Sequence, residues 1–356
     1  MNIDSLQAKD FSENGRNVLL FGGRGYEREV SVSGAKRFLK EARRAEIDFL
    51  PVFISPDGDF YVFDGQIEDL NGDFFERLTR VHPIKLGKKS GFLKYGKLIP
   101  VSLVFPLLHG DFGEDGIIQG LLTAFGMRFA GADNFGGAVS SDKIYSKIIA
   151  EAVGVPVLRH ITVSKERYDI EKTVSDIENG FGFPVFVKPA RLGSSVGASF
   201  ANDRLELGRS LDGAFAVAER VMIEPFIHEK RELECAYYNV RGRKVITPPA
   251  EVSFVSEFYD YNTKYNDPCS VNLITRADIE GDVCERIISY TDILADALSV
   301  RHIARFDYFL LPDGALYFNE VNTMPGMTEM SLYPAMLEGV GISFSKFLKS
   351  FLEDKA

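Results

Sequence analysis

The sequence predicts an α/β protein of two or three packed domains, and three stretches carry that expectation. Residues 17–23 (NVLLFGG) are an apolar strand running into glycines, followed over 31–44 by helical spacing of Val32, Ala35, Phe38 and Leu39. Residues 101–110 (VSLVFPLLHG) are a second continuous apolar strand, ending at His109. After GDFGEDG a helix follows at 116–125 with Ile117, Leu121, Leu122 and Phe125 on its apolar side. Residues 302–322 read as two strands joined by a Pro312-Asp313-Gly314 turn. At 356 residues the chain is long for a single domain of roughly 100–150 residues.

Composition narrows the partners. A net charge of -10 argues against nucleic acid as the main partner, although a local basic pocket for an anionic ligand is compatible with it. No apolar run approaches the roughly 18 residues that a membrane span needs, and residues 1–16 are polar, without the apolar core of a signal peptide. They read as a disordered or loosely attached lead-in, and the protein is expected in the cytoplasm. Cys235, Cys269 and Cys284 are odd in number and without CxxC spacing, which argues against a disulfide framework or a zinc site. A small-molecule ligand is favoured.

Taken in order, the first strand ends at Gly22-Gly23-Arg24-Gly25, which is not GxGxxG and by itself is a tight turn or a weak phosphate signal. Glu27 precedes a helix N-terminus, where a carboxylate stabilises the dipole. Residues 49–99 hold strands with Gly, Asp and Asn turns, including FYVFDG and a GFLKYGKLIP hairpin. His109 stands at the carboxyl end of a buried strand, where open α/β sheets bind ligands; a structural role is equally open to it. Residues 140–153 start with a Ser-Ser-Asp cap and place Ile144, Ile148 and Ile149 inward. Lys143 falls in the first turn, where a cation is unfavourable unless an anion is near.

A second domain opens after Gly154 and Pro156, with a strand at 157–163 and a polar helix around 169–179. The buried strand FPVFVKPA (183–190) carries Lys188 into RLGSSVGAS (191–199), whose backbone N–H groups and hydroxyls suit phosphate oxygens. It is not a Walker A sequence, and a Ser/Gly loop is also an ordinary hairpin turn. Lys188 favours the anion site, because a buried lysine needs an anionic partner. VMIEPFI (221–227) reads as a strand with a Glu224-Pro225 hinge, RELECAYYNV (231–240) as another strand, and the polar, Tyr-rich 254–275 as a lid loop. A helix at 277–299 leads to the hairpin.

In that hairpin Arg305 and Asp307 share one face of the first strand, and Phe318, Glu320 and Asn322 share one face of the second. An even loop about Asp313-Gly314 sets Asp307 opposite Glu320 and Arg305 opposite Asn322; a three-residue loop breaks that pairing. Carboxylates opposed across a ladder repel unless a cation sits between them, and two carboxylates with an amide make an all-oxygen site for a hard cation such as magnesium. A solvated edge hairpin would show the same polar residues. Phe306, Phe309, Leu310, Leu316 and Phe318 instead mark the hairpin as mostly buried.

GGRGYEREVS, LLHGDFGEDG, SDKIYSK, VKPARLGSSVGAS, FYDYNTKY, ARFDYFL and FNEVNTMPGMTEMSLYP, in this order and spacing, resemble the D-alanine:D-alanine ligases of the ATP-grasp superfamily. The likeness runs from about residue 17 to the C-terminus. It implies a three-domain ATP-grasp architecture, α/β overall and α+β in the ATP-binding part. The domains would be an N-terminal open α/β substrate domain (17–137), a central domain (138–238) and a C-terminal catalytic domain (239–356) with the lid at 254–275. The implied reaction joins two D-alanines through an acyl phosphate, with ATP and two magnesium ions, manganese being a possible substitute.

By the same resemblance Lys143, Lys188, Ser194, Ser195 and Gly197 hold ATP phosphates, with Lys264 in the lid. Glu224, Ile227 and Glu232 contact adenine and ribose, and Asp307, Glu320 and Asn322 bind metal. Glu27 holds the first substrate's ammonium and His109 lies near its carboxylate. Arg305 and the Gly326 N–H meet the tetrahedral oxyanion, and Ser331 and Leu332 seat the second carboxylate. Tyr265 closes the site toward Glu27 and Ser194. The resemblance also implies a homodimer. Leu332, where some resistance-type relatives carry Arg, and a lid of Tyr261, Lys264 and Tyr265 in place of a His-containing one favour D-alanine over D-lactate as second substrate. A D-serine ligase differs by one hydroxyl, and a catalytically inactive ATP-binding protein is the alternative of another class. Pro225 lacks the N–H that an adenine edge would otherwise find there.

Overall fold

The computed structural model describes residues 15–70, 77–254 and 271–353. Tyr261, Lys264 and Tyr265 of the expected lid lie outside the described residues.

The first strand, β1 (Arg16–Gly22), is flanked by parallel β2 (Leu50–Ile54) and β6 (Lys97–Pro106). With β3 (Phe60–Phe63), β4 (Leu78–Leu86) and β5 (Lys89–Lys94) the path closes as a barrel in chain order. Continuous apolarity in β1 has a direct cause. Val18 and Leu20 enter one core and Leu19 and Phe21 another, so both faces are buried. Helix α1 (Arg28–Arg44) covers one side with Ala35, Phe38, Leu39 and Ala42, while α2 (Ile117–Ala124) inserts Ile118 and Leu122 on the other. The second apolar strand starts earlier than expected and stops at Pro106. His109 therefore sits in a loop three residues beyond the strand rather than at its end.

Helices α3 (Asn134–Ser141) and α4 (Lys143–Ala152) follow. The first was not anticipated, because NFGGAVSS carries two glycines. Their purpose is close approach: a Cβ on Gly136 would lie 2.5 Å from the Ser299 carbonyl oxygen, and one on Gly137 2.8 Å from that of Glu114. In α4, Ile144 is buried but Ile148 is exposed, contrary to expectation, and the inward positions include Ser146 and Lys147.

A four-stranded antiparallel sheet comes next, ordered β7-β10-β8-β9: β7 (Ile161–Ser164), β8 (Val185–Pro189), β9 (Ser199–Ala201) and β10 (Arg220–Pro225). Helices α5 (Ile170–Gly180) and α6 (Arg204–Phe215) pack on it around a core of its own, with Ile177, Leu207 and Leu211 against Val185, Val187 and Val221.

The last sheet has six strands: β11 (Arg231–Val240), β12 (Arg243–Ile246), β13 (Ala250–Phe254), β14 (Val271–Ile274), β15 (His302–Leu310) and β16 (Leu316–Asn322). The order is β14-β13-β11-β15-β16, with β12 beside β11, so the anticipated junction at residue 238 falls inside a central strand. Helix α7 (Gly281–Ala297) covers one face; α8 (Leu332–Gly339) and α9 (Phe344–Glu353) contribute to the core on the other. That second core is shared with the barrel. Phe38 meets Phe344 edge-on at 5.7 Å, and Phe105 meets Phe351 at 5.7 Å.

The hairpin β15–β16 pairs Asp307 with Glu320 and Arg305 with Asn322, as anticipated, but by another route. Leu310 faces Leu316 across an odd loop of five residues, 311–315, which alone would have displaced the pairs. A register shift beyond Asp307 leaves Asn319 as an extra residue and restores them. The same shift sends Phe318 to the opposite face from Glu320, into the core beside Tyr308, which corrects the expected shared face.

Candidate active site

A cleft of about 1210 Å³ opens between the three sheets. At its centre Glu27 is the N-cap residue of α1, yet its side chain makes no cap hydrogen bond. Its carboxylate instead accepts the Ser194 hydroxyl across the cleft. Two glycines permit this approach, because a Cβ on Gly110 or Gly193 would lie 2.4 or 2.8 Å from Glu27 Oε2. Ser194 and Ser195 both adopt left-handed φ, 50° and 59°, so the GSSVG segment folds as a tight loop. Gly197, also left-handed at 70°, leaves a Cβ no room against Val217, 2.6 Å away.

Elsewhere in the cleft Lys143 Nζ reaches the Leu192 carbonyl at 2.7 Å and Glu320 at 3.3 Å, meeting the anion that its place in a first helical turn requires. Beneath it the buried Asp142 caps α4 through Ile144 N–H and pairs with the exposed Arg191 and the partly exposed Arg220. Lys188 lies 2.5 Å from Glu224 and donates to Asn319 Oδ1 at 3.2 Å. Glu224 is only 2 % exposed and also pairs with the fully buried Lys147. Burial opposes the Glu224 charge, but the two lysines outweigh it and hold its pKa well below the carboxylate range; burial pulls Lys147 down despite Glu224. The Glu224 side chain is thus committed to lysines. Phe226 N–H is spent on the Pro184 carbonyl, and with Pro225 lacking a donor the next hinge amide is that of Ile227. Phe186, Phe200 and Phe226 form an apolar wall there, and Glu232 stands beside Lys230 at 3.2 Å.

On the hairpin Arg305 grips Asp307 with two parallel bonds, 2.8 and 2.7 Å, and lies 3.3 Å from Glu234. Burial works against its charge, and the facing carboxylates Asp307 and Glu234 reverse that effect, so its pKa is raised. Asn322 donates to Asp307 Oδ2 at 3.1 Å, directing its amide toward the carboxylates. Among the described residues no group of three His, Cys, Asp or Glu is arranged to hold a metal. Asp307, Glu320 and Asn322 nevertheless offer hard oxygen donors on one face, with cations already drawn to both carboxylates, and this donor set fits a hard divalent ion.

The 323–331 segment, between β16 and α8, forms the remaining wall. Met324 is held at both backbone groups: its N–H donates to Glu114 Oε1 at 2.9 Å, and His109 Nδ1–H donates to its carbonyl at 3.1 Å. The other Glu114 oxygen accepts Gly110 N–H at 3.0 Å. Burial, reinforced by the Glu27 charge, pushes the Glu114 pKa up to about 7. Burial likewise lowers that of His109, whose Nε2 is buried without a hydrogen-bond partner among the described residues. Gly326 folds against Ser331, the N-cap of α8; a Cβ there would meet Ser331 Oγ at 2.8 Å. Ser331 and Leu332 thus present a helix N-terminus to the cleft, which suits a carboxylate.

Every described residue anticipated for the site, from Glu27 to Leu332, lines this cleft except Gly197, which packs against Val217 and Pro189. Lys147, Glu114, Asn319 and Glu234 escaped sequence reasoning. Lys147 follows Lys143 by one helical turn, a usable signal for a shared face. Asn319 had none, since only the bulge turns it toward Lys188.

Two family models match the chain: the D-ala D-ala ligase N-terminus over residues 16–132 and the D-ala D-ala ligase C-terminus over 149–353. A D-alanine--D-alanine ligase of Acetivibrio thermocellus is 36% identical over 363 residues, covering 95% of each chain, and that of Caldicellulosiruptor bescii is 35% identical over 342 residues, covering 94% of this chain and 93% of the relative. Among solved structures, the VanG D-Ala:D-Ser ligase from Enterococcus faecalis superposes with a TM-score of 0.85 at 31% identity, covering 96% of this chain and 99% of the other. The D-alanine-D-alanine ligase from Coxiella burnetii gives 0.83 at 27%, covering 96% and 94%. The chain belongs to the D-alanine–D-alanine ligase family.

Proposed function

We propose that the cleft joins two D-alanines into D-alanyl-D-alanine at the expense of ATP, releasing ADP and phosphate, for peptidoglycan precursor synthesis. The observation that carries the site assignment is the Ser194–Glu27 bond, which closes a phosphate-type loop from the four-stranded sheet over the N-terminus of α1. Nucleotide and amino acid subsites then share one cavity.

Lys143, Lys188 and the Ser194–Ser195–Gly197 loop cradle the phosphates, while Ile227, Glu224 and Glu232 line the adenine and ribose end. Glu27 takes the ammonium of the first D-alanine, and His109 Nε2 lies on the side of its carboxylate. That carboxylate attacks the terminal phosphoryl group, and ADP leaves with the bridging oxygen's electrons, giving an acyl phosphate. The second D-alanine, its carboxylate at Ser331 and the Leu332 amide, attacks the acyl carbon through its neutral amine. The negative charge that develops on oxygen is met by Arg305 and the Gly326 N–H, and collapse expels phosphate, which carries off the proton shed by the attacking nitrogen. Asp307, Glu320 and Asn322 would hold magnesium, two ions with manganese as a substitute, which when bound neutralises phosphate charge during transfer. Lys264 and Tyr265 complete the reading as lid residues that exclude water.

An N-terminal substrate domain, a central ATP-grasp domain and a C-terminal catalytic domain, a homodimer and a cytoplasmic setting belong to the same reading and rest on family likeness. Among the described residues no helix is long and apolar enough to cross a membrane. Leu332 and the Tyr-type lid favour D-alanine as the second substrate. The test is phosphate release from magnesium-ATP with D-alanine alone, with added D-lactate and with added D-serine, each product identified by mass. Dipeptide formed from D-alanine alone supports the reading. A mixed product made much faster moves the assignment to a D-lactate or D-serine ligase, and ATP binding without any turnover leaves an inactive binding protein.

A further inference from the structure

We propose that Arg37 is a positioning residue for the second amino acid subsite, an inference that rests on the ligase reading above. Arg37 lies in the third turn of α1, half-buried in the cleft wall, and its guanidinium donates to the Thr328 carbonyl. That carbonyl also accepts Ser331 N–H at 3.1 Å, while Thr328 N–H and Oγ1 reach Ser331 Oγ at 3.0 and 2.9 Å. Arg37 therefore acts on Ser331 through one intervening residue. Gly326, folded against Ser331 Oγ, is tied to the same point.

Residues 323–331 belong to no helix or strand, so no ladder fixes them. Their anchors come from the barrel half of the molecule: Glu114 and His109 at Met324, and Arg37 at Thr328. The partner of Arg37 is a neutral carbonyl, so that bond leaves its charge uncancelled. A cation there, in the wall that also holds Ser331, suits an amino acid arriving carboxylate first at a helix N-terminus.

The experiment compares Arg37→Met, Arg37→Gln and Arg37→Lys with the native enzyme in dipeptide formation, resolving the two D-alanine KM values and that of ATP. Arg37→Met is expected to raise the second-subsite KM about tenfold, the effect of losing one charge-assisted hydrogen bond. The first-subsite and ATP values should stay within about twofold. Arg37→Gln retains a donor and Arg37→Lys a charge, so partial recovery in each separates positioning from electrostatics. An unchanged second KM in Arg37→Met, or an equal loss in all three KM values, overturns the proposal. Should Arg37→Met fail to fold, the same criteria apply to Arg37→Gln and Arg37→Lys. A native enzyme that makes no dipeptide overturns the ligase reading, and this inference with it; a native enzyme that does, beside an unaltered variant, overturns this inference alone.

Discussion

The barrel and the six-stranded sheet meet through aromatic rings in one continuous core, whereas the four-stranded sheet keeps a separate small core and faces the cleft with buried charges. Phe38, Phe105, Phe347 and Phe351 tie the first two together, and the 323–331 wall is gripped from the barrel by Arg37, His109 and Glu114. Across the cleft, Lys188 is held by Glu224 and Asn319. The 323–331 wall is set by hydrogen bonds from a closely packed core, which tolerates little displacement, while the wall around Lys188 is set by ion pairs.

The largest test breaks the charged side. Glu224→Ala leaves two lysines facing each other in a buried site and is expected to cost about 3–5 kcal/mol, read by thermal unfolding, and to raise the ATP KM in whatever protein remains folded. The double change Lys147→Met/Glu224→Met should cost less than Glu224→Ala alone. A larger cost would show that the triad is held by more than its charges.

The apolar side is broken by Phe347→Ala, with an expected loss of about 3 kcal/mol on the same assay. Here both D-alanine KM values should move more than that of ATP. The reverse pattern would remove the contrast between the two walls.

Glu114 sharpens the comparison through pH. Its folded pKa, about 7, lies above the ordinary carboxylate value, so the folded state binds the proton more tightly. Stability therefore declines as pH rises from roughly 4.5 to 7 and levels off above. Activity runs the other way, because the ionised carboxylate accepts both Gly110 and Met324 N–H while the acid gives up part of one bond. Below about pH 7, kcat/KM should fall. Glu114→Gln should lower kcat/KM about tenfold at neutral pH and flatten that limb. Arg305, which also faces Glu114 and whose pKa, despite burial, is raised by Asp307 and Glu234, keeps its charge through this range. A limb unchanged in the variant would assign it elsewhere.

The smallest effect is expected at Arg204, whose pair with Glu171 is exposed. Arg204→Ala should leave melting temperature and all three KM values unchanged, since exposed pairs contribute little. A measurable loss would mean that the four-stranded sheet leans on surface charge as well.

Much of the site was legible because its residues cluster in short motifs whose local physics is self-contained. A carboxylate before α1, a lysine in the first turn of α4 and a Ser/Gly loop after β8 each announce an anion or cation nearby. Glu114 hid among the acidic residues of GDFGEDG, and Lys147 beside the more conspicuous Lys143. Helix α3 was lost to its glycines, whose advantage appears only against Ser299 and Glu114 carbonyls far away in sequence.

The hairpin separates what each level decides. Local alternation was enough to put Arg305 with Asp307 on one face of β15 and Glu320 with Asn322 on one face of β16, because side chains alternate faces along a strand wherever it is placed; setting the two pairs opposite each other needed the bulge. Tertiary structure alone decided that the loop is odd, that Asn319 bulges, that Phe318 turns inward against Tyr308 and that Asn319 meets Lys188. Those outcomes depend on packing against β8, α4 and α7, and such contacts are set by which surfaces meet, which no local pattern contains.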